Sequence, residues 1–189
     1  MKFLKKIALN KIDLVNEFSL SNIHSLLFLV DSLENNELAV HVAKQLSKGK
    51  ICYVSLHKTA DVLKENLKKK KINTDNMVFV DGITDVLGLS HENQEGVHFV
   101  SFPGALIELS VEIFSILNRD YDYIIFDSVT DMLPYAKPIQ IKNFISKIIN
   151  RVKEKNMKAI FYIKNAQGVT NFIDEIAPLV NGVINANAF

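Results

Sequence analysis

Short apolar runs alternate with helical patterns over most of this chain. The apolar runs have the length of strands and lie at about 26–30, 51–56, 77–81, 97–102, 122–127, 158–163 and 182–185. Patterns with helical spacing lie between them, at about 37–47, 60–70, 105–118, 137–155 and 169–177. Strands that alternate with helices are typical of a parallel sheet covered by helices on both faces, so the pattern predicts an α/β fold.

The apolar residues also indicate how the sheet is buried. Ile124, Ile125 and Phe126 are consecutive, as in a central strand that is covered on both faces. The chain has 189 residues, of which 48% are hydrophobic, and it contains no internal repeat and no low-complexity linker. This length and composition predict one domain over residues 1–189. The segment 82–96 is rich in Gly, Asn and Gln, which predicts a surface loop.

Carboxylates occupy the connection between the first predicted strand and the first predicted helix. A phosphate-binding loop at such a place has the pattern G-x-x-x-x-G-K-[ST], whose glycine amides and lysine hold phosphates. This connection has no glycine and no lysine. Carboxylates at a helix N-terminus satisfy the macrodipole themselves and repel a triphosphate. The residues concerned are Asp31, Ser32, Glu34, Asn35, Asn36 and Glu37.

A second polar group follows the strand predicted at 122–127. Asp127 and Ser128 come at its carboxyl end, where open α/β sheets bind ligands. The same residue types cap helices and bond loop amides. Because Ser128 and Thr130 are close by, we expect a structural role for Asp127 rather than metal binding.

Other chemistries find no support in the residue pattern. Cys52 is the only cysteine and lies in an apolar run, which excludes a disulfide within the chain and predicts a buried thiol. The histidines lack zinc-site spacing, and the motifs of serine hydrolases and dinucleotide enzymes are missing. The 22 basic and 21 acidic residues argue against nucleic acid or an anionic membrane as a partner. Without a signal peptide or an apolar run of about 20 residues, a cytoplasmic location is expected.

Four stretches of the chain share, in order and spacing, the pattern of a known family. They are 26–31 with 37–43, then 50–56 with 61–67 and 77–81, then 123–128, and finally 177–184. Together they resemble the RecA/KaiC-like P-loop ATPases, in particular archaeal-type KaiC-like domains, over roughly residues 13–186. The resemblance implies a three-layer RecA-like fold with a mainly parallel central sheet.

The same resemblance gives roles to individual residues. Asp127 matches the aspartate of the Walker B strand, which helps to hold Mg²⁺ at the nucleotide. His57 stands where the family has an acidic residue that activates the attacking water. The segment 31–36 matches a phosphate loop that has lost residues together with its glycines and lysine. The resemblance therefore implies a degenerate member of the family.

These observations predict a non-catalytic ATPase homologue that acts as a binding or regulatory module through protein association. Loss of the lysine and of the amide cradle removes the electrostatic stabilisation on which phosphoryl transfer depends. We expect a pseudo-ATPase with no catalytic residue, no cofactor and no metal. The expected partner is a second copy or an active RecA/KaiC-like relative, contacted through the segment 82–96 and through Phe172 and Phe189 as aromatic anchors.

A nucleotide- or metal-binding switch, or a residual NTPase, is the alternative. In that case Asp127 and the 31–36 loop hold the ligand, and His57, whose ordinary pKa is close to neutral, is suited to act as a base. Convergence of Asp31, Glu34 and Asp127 within metal-bonding distance would favour this alternative. Separated or self-capped side chains would favour the non-catalytic module.

Overall fold

The computed structural model describes residues 18–19, 21–31, 37–89, 92–101 and 106–186, in which strands and helices alternate. The strands are β1 (Ser25–Val30), β2 (Ile51–Ser55), β3 (Met77–Asp81), β4 (Val97–Phe99), β5 (Tyr123–Asp127), β6 (Lys158–Lys164) and β7 (Gly182–Asn185). The helices are α1 (Glu37–Leu46), α2 (Ala60–Lys69), α3 (Leu106–Leu117), α4 (Pro138–Glu154) and α5 (Thr170–Ile176). Short 3₁₀ turns occupy Val129–Met132 and Ala177–Leu179. The predicted α/β fold is confirmed.

The strands form one parallel sheet in the order β4-β3-β2-β5-β6-β1-β7. β2 lies between β3 and β5, and its last residue, Ser55, is level with Asp81 on one side and Asp127 on the other. β6 separates β5 from β1. The carboxyl ends of these strands therefore bring polar residues to one edge of the sheet, where ligands bind in α/β folds.

Successive strand residues pack into two cores, one on each face of the sheet. Ile124 and Phe126 belong to the core that α3, α4 and α5 cover, whereas Ile125 belongs to the core under α1 and α2. Both sets are fully buried, which confirms the prediction of a central strand covered on both faces. Cys52 is also buried, as predicted, and burial raises the pKa of its thiol.

The longest helix shows why these segments fold as helices. The apolar residues of α4 recur at spacings of three and four, so that one face is buried against the sheet. Pro138 occupies the first turn, where its missing N–H group does no harm, and Arg151 and Lys153 complement the dipole in the last turn. Among the described helices, none is both long and apolar enough to cross a membrane.

β4 differs from its prediction in length. It ends at Phe99, whereas the sequence predicted a strand to residue 102, a position outside the described residues. Among the described strands, β4 borders only β3, and the carbonyl of the last β3 residue, Asp81, accepts a hydrogen bond from the Val100 N–H at 2.9 Å. The pairing therefore ends where β3 ends.

The Asp81 side chain organises the edge of the sheet between β3 and α2. Its Oδ2 accepts hydrogen bonds from the Ala60 N–H at 2.6 Å and from the Thr84 hydroxyl at 2.7 Å. Its Oδ1 accepts from the N–H groups of Ile83 and Thr84, both at 2.9 Å. One buried carboxyl thus satisfies the start of α2 and the turn after β3.

We predict that Asp81→Ala lowers the free energy of unfolding by about 2–4 kcal/mol, because it leaves several buried donors without an acceptor. Urea denaturation measures the change. Asp75→Ala removes an exposed carboxylate from the neighbouring loop and serves as the control, with an expected change within about 0.5 kcal/mol. Equal effects of the two substitutions would contradict the role given to Asp81.

Candidate functional site at the carboxyl ends of the strands

The connection from β1 to α1 is described only at its two ends. Asp31 follows β1 and Glu37 begins α1, and both residues are exposed. The Glu37 carboxylate lies 3.8 Å from the Lys70 ammonium, a pair so exposed that it contributes little to stability. Four predicted site residues of this loop lie outside the described residues, namely Ser32, Glu34, Asn35 and Asn36.

Asp127 is the most deeply buried acid of the predicted site. Its side chain is 2% exposed, and its Oδ2 accepts a hydrogen bond of 2.9 Å from the Tyr53 hydroxyl. Strand alternation turns Asp127 to the same face of the sheet as Ile125, towards the core under α1 and α2. The prediction that Asp127 caps the next helix or bonds loop amides is wrong. The donor to its Oδ2 is the Tyr53 hydroxyl, on the neighbouring strand β2.

Tyr162 is the third polar residue of this cluster. It lies on β6, next to β5, and its ring stacks on Phe28 of β1 with the centroids 5.5 Å apart. It is fully buried, and in the described part of the chain its hydroxyl has no hydrogen-bond partner. The Asp127 Oδ1 also lacks a partner within these residues. Because buried polar atoms without partners are rare, this cluster is unusual.

Burial sets the charge state of this cluster. It raises the pKa of Asp127, and this effect outweighs the opposing influence of His57, the Tyr53 hydrogen bond and Lys58. Burial, followed by the charge of Asp127, also raises the pKa values of Tyr53 and Tyr162 well above the usual tyrosine value. Each of these pKa shifts disfavours the charged form of its group.

Sequence reasoning named Asp127 but missed both tyrosines. Tyr53 and Tyr162 lie in strands that are otherwise almost wholly apolar. A buried tyrosine needs a partner for its hydroxyl, so a tyrosine inside a central strand is itself a signal of a polar neighbour. The partner in the case of Tyr53 is 74 residues away along the chain, which no local pattern reveals.

His57 lies just after β2 and is paired with an acid from another element. Its Nδ1 is 3.3 Å from the Asp131 Oδ2, and its side chain is 15% exposed. Burial lowers the pKa of His57, but the nearby Asp131 carboxylate, together with the charge of Asp127, outweighs burial and raises this pKa overall. His57 and Asp127 therefore influence each other electrostatically at this edge of the sheet.

Asp131 also accepts hydrogen bonds from Ser128. Its hydroxyl donates to the Asp131 Oδ2 at 2.7 Å, and its N–H donates to that oxygen at 3.3 Å. The Thr130 hydroxyl accepts the N–H of Lys164 at 2.7 Å, which joins the turn after β5 to the end of β6. Asp131, rather than Asp127, is thus the residue that orders the turn after β5, a role that the sequence analysis did not assign.

Two other predictions concern exposed aromatic anchors and metal binding. The prediction that Phe172 is an exposed anchor is wrong, because Phe172 is 4% exposed. It lies on the inward side of α5 and packs into the core under this helix. Phe189 lies outside the described residues. No group of three or more His, Cys, Asp or Glu side chains is arranged to hold a metal ion in the described part of the chain.

We predict that Asp127→Asn increases stability at pH 8 by about 1–3 kcal/mol, the range for relieving an unfavourable buried polar group. A raised pKa means that the contribution of Asp127 is fully present below the unfolded pKa and is lost as the pH rises through the folded pKa. The gain should therefore shrink as the pH falls towards about 4. Urea denaturation across this range measures it.

The exposed Asp174 provides the matched control for this test. Asp174→Asn makes the same chemical change on the surface of α5 and should alter stability by no more than about 0.5 kcal/mol. A loss of stability in Asp127→Asn at pH 8 would contradict the conclusion that burial dominates the pKa of Asp127.

We predict that His57→Gln destabilises the protein by about 1 kcal/mol at pH 5.5 and by less at pH 8.5. Because the folded pKa of His57 is raised, its contribution is fully present below the unfolded value of about 6.5 and is lost as the pH rises through the folded pKa. The same substitution in an Asp131→Asn background should show a weaker pH dependence. An unchanged pH dependence in that background would exclude the pairing as its cause.

A comparison with solved structures places this geometry on a known fold. The chain is similar to the KaiC-like protein PH0186 from the hyperthermophilic archaeon Pyrococcus horikoshii OT3, with a TM-score of 0.60. The match covers 86% of this chain and 69% of that protein, at 12% sequence identity. At such an identity the likeness concerns the fold, which is RecA-like as the sequence analysis expected.

Comparisons of sequence give a family but no characterised relative. No curated protein matches the chain. A family model described as "Family of unknown function (DUF7090)" matches residues 24–188, which include every described strand and helix from β1 to β7. The chain therefore belongs to this family, DUF7090, and has an α/β fold with a parallel RecA-like sheet.

Proposed function

We propose that this protein is a non-catalytic module on a RecA-like fold, which acts by binding protein rather than by hydrolysing a nucleotide. The proposal joins two features of the strand ends. The first is the absence of glycine and lysine from the β1–α1 connection. The second is the state of Asp127 and His57, the residues that occupy the positions of the metal-binding and water-activating groups in the resemblance.

The hydrogen bond between Tyr53 and Asp127 is the observation that carries the proposal. A carboxyl group that binds Mg²⁺ must be ionised, with its oxygens accessible to the ion and its waters. Asp127 is 2% exposed, one oxygen accepts from Tyr53, and burial raises its pKa. Each of these properties opposes metal binding, and the β1–α1 connection has no glycine or lysine that would hold a phosphate.

His57 supports the same conclusion. A general base must reach the reacting water and exchange its proton with it. The Nδ1 of His57 faces Asp131, and the pair lies beside a turn that Asp131 also holds through Ser128. Its pairing with Asp131 gives His57 a structural role that needs no substrate.

Exposed apolar side chains support binding to protein as the activity. Leu87 and Leu89 in the turn after β3 are 59% and 51% exposed, and Ile107 and Val111 on α3 are 82% and 64% exposed. Clusters of large apolar side chains on a surface are typical of interaction sites. The turn belongs to the 82–96 segment, which the sequence analysis had named as a contact surface.

We predict that Mg²⁺–ATP does not bind to the protein with useful affinity. Titration calorimetry should give no saturable heat up to about 1 mM ATP, a limit that corresponds to roughly 4 kcal/mol of binding free energy. The physical reason is the carboxylate-rich β1–α1 connection together with the occupied, buried Asp127. A dissociation constant of about 10 μM or below, roughly 7 kcal/mol, would overturn the proposal.

If Mg²⁺–ATP binding is observed, the variants Asp127→Asn and Asp174→Asn show where on the protein it occurs. Binding at the strand ends through a metal would be lost in Asp127→Asn, because an amide is a poorer ligand than a carboxylate, and would persist in Asp174→Asn. Equal binding by both variants would place the nucleotide elsewhere on the surface.

A small-ligand switch is the second candidate, and one observation favours it. The Asp127 Oδ1 and the Tyr162 hydroxyl lack hydrogen-bond partners in the described part of the chain, and a ligand with a polar group can supply them. A ligand that stabilises the folded protein raises its melting temperature. A shift in the wild type with Mn²⁺ or Mg²⁺–ADP that is absent in Asp127→Asn would favour the switch over the module.

A further inference from the structure

Exposed apolar residues lie on the outer surface of α3 and at the start of α4. Ile107 and Val111 are one turn apart on α3, and Ile139 in the first turn of α4 is 53% exposed. Both helices bury their other faces in the same core, so their outer surfaces look out from the same side of the sheet. This surface, formed by Ile107, Glu108, Val111, Ile139 and Lys142, is called the α3/α4 face below.

Charge on the α3/α4 face is separated between the two helices. The only charged residues of α3 are acidic, Glu108 and Glu112, and Glu112 is paired with His98 at 2.6 Å. The charged residues of α4 are basic except for its last, and they include Lys142 and Lys147. In the part of the chain that the structure describes, Glu108, Lys142 and Lys147 form no ion pair or hydrogen bond. An acidic helix therefore lies beside a basic helix, each with unpaired charge.

This arrangement is self-complementary under two-fold symmetry. Both helices join parallel strands, so they run side by side in the same direction, antiparallel to the sheet. A two-fold axis parallel to the helices, between them in the plane of contact, places α3 of each copy on α4 of the other. Ile107 then meets Ile139 of the second copy near the helix N-termini, and Glu108 meets Lys142 of the second copy. Two-fold interfaces of this kind are the commonest in homo-oligomers.

We propose that the α3/α4 face is the interface of a homodimer, in which each α3 packs on the partner copy's α4. The inference deepens the proposed function, since it names a second copy as the bound protein. Apolar residues meet near the helix N-termini, and the Glu108–Lys142 pairs beside them set the orientation of the contact. Another protein at the same face is the competing occupant, and it does not require the charges of α3 and α4 to match each other.

Sedimentation velocity on the full chain tests the dimer between about 1 and 100 μM, a range in which a dimer with a micromolar dissociation constant changes its degree of association. We expect dimer to form within this range and Val111→Lys to weaken it at least about tenfold, as for a residue central to an interface. Val62→Lys is the matched control, because Val62 is also an exposed helical valine, on α2 over the opposite face of the sheet. A wild type that stays monomeric, or equal weakening by both variants, would overturn the proposal.

A charge exchange tests the orientation of the helices independently. Glu108→Lys and Lys142→Glu should each weaken the dimer, and the double variant should recover wild-type association because it restores opposite charges across the interface. Failure of the double variant to recover would overturn the pairing of α3 with α4. The substituted residues are exposed, except for the half-buried Lys142, and melting curves verify that each variant is folded. These measurements use no nucleotide. A wild type that stays monomeric would overturn the dimer, whereas tight binding of Mg²⁺–ATP would overturn the non-catalytic function.

Discussion

A parallel sheet covered on both faces places one constraint on the strands of this molecule. Polar side chains of its covered strands can reach water only near the ends of the strands. The described strands are parallel, and β2 and β3 are buried along their whole length. Asp81 and Asp127 end neighbouring strands on either side of β2, yet their surroundings differ. Asp81 meets several backbone and hydroxyl donors, whereas Asp127 meets one tyrosine.

This difference explains how two aspartates at the same edge take different roles. Donors around Asp81 favour a well-bonded carboxyl that orders the turn and the helix after it. Asp127 has no such set of donors among the described residues, so the cost of burial dominates and raises its pKa. The turn after β5 is instead held by Asp131, which leaves Asp127 to interact with Tyr53 across the sheet.

The sequence predicted the fold well and the site only in part, for a physical reason. Strands and helices are set by apolar periodicity, which is local, so the α/β pattern and most element boundaries are visible in the chain. The Tyr53–Asp127 bond and the His57–Asp131 pair depend on which strands become neighbours, and the strand order is a property of the whole sheet. The prediction that Phe172 is exposed was wrong because a helix of seven residues gives too short a pattern to decide which side is buried.

Stability alone does not account for a carboxyl group at position 127. The Tyr53 hydroxyl needs an acceptor, and an asparagine carbonyl provides one without the cost of burying a charge. Where His57 is protonated, its charge lowers the pKa of Asp127, and Asp127 in turn raises the pKa of His57. The carboxyl is thus linked to the proton on His57 and through it to Asp131 and the turn after β5. This coupling, rather than a hydrogen bond that an amide also forms, distinguishes an aspartate from an asparagine at the end of β5.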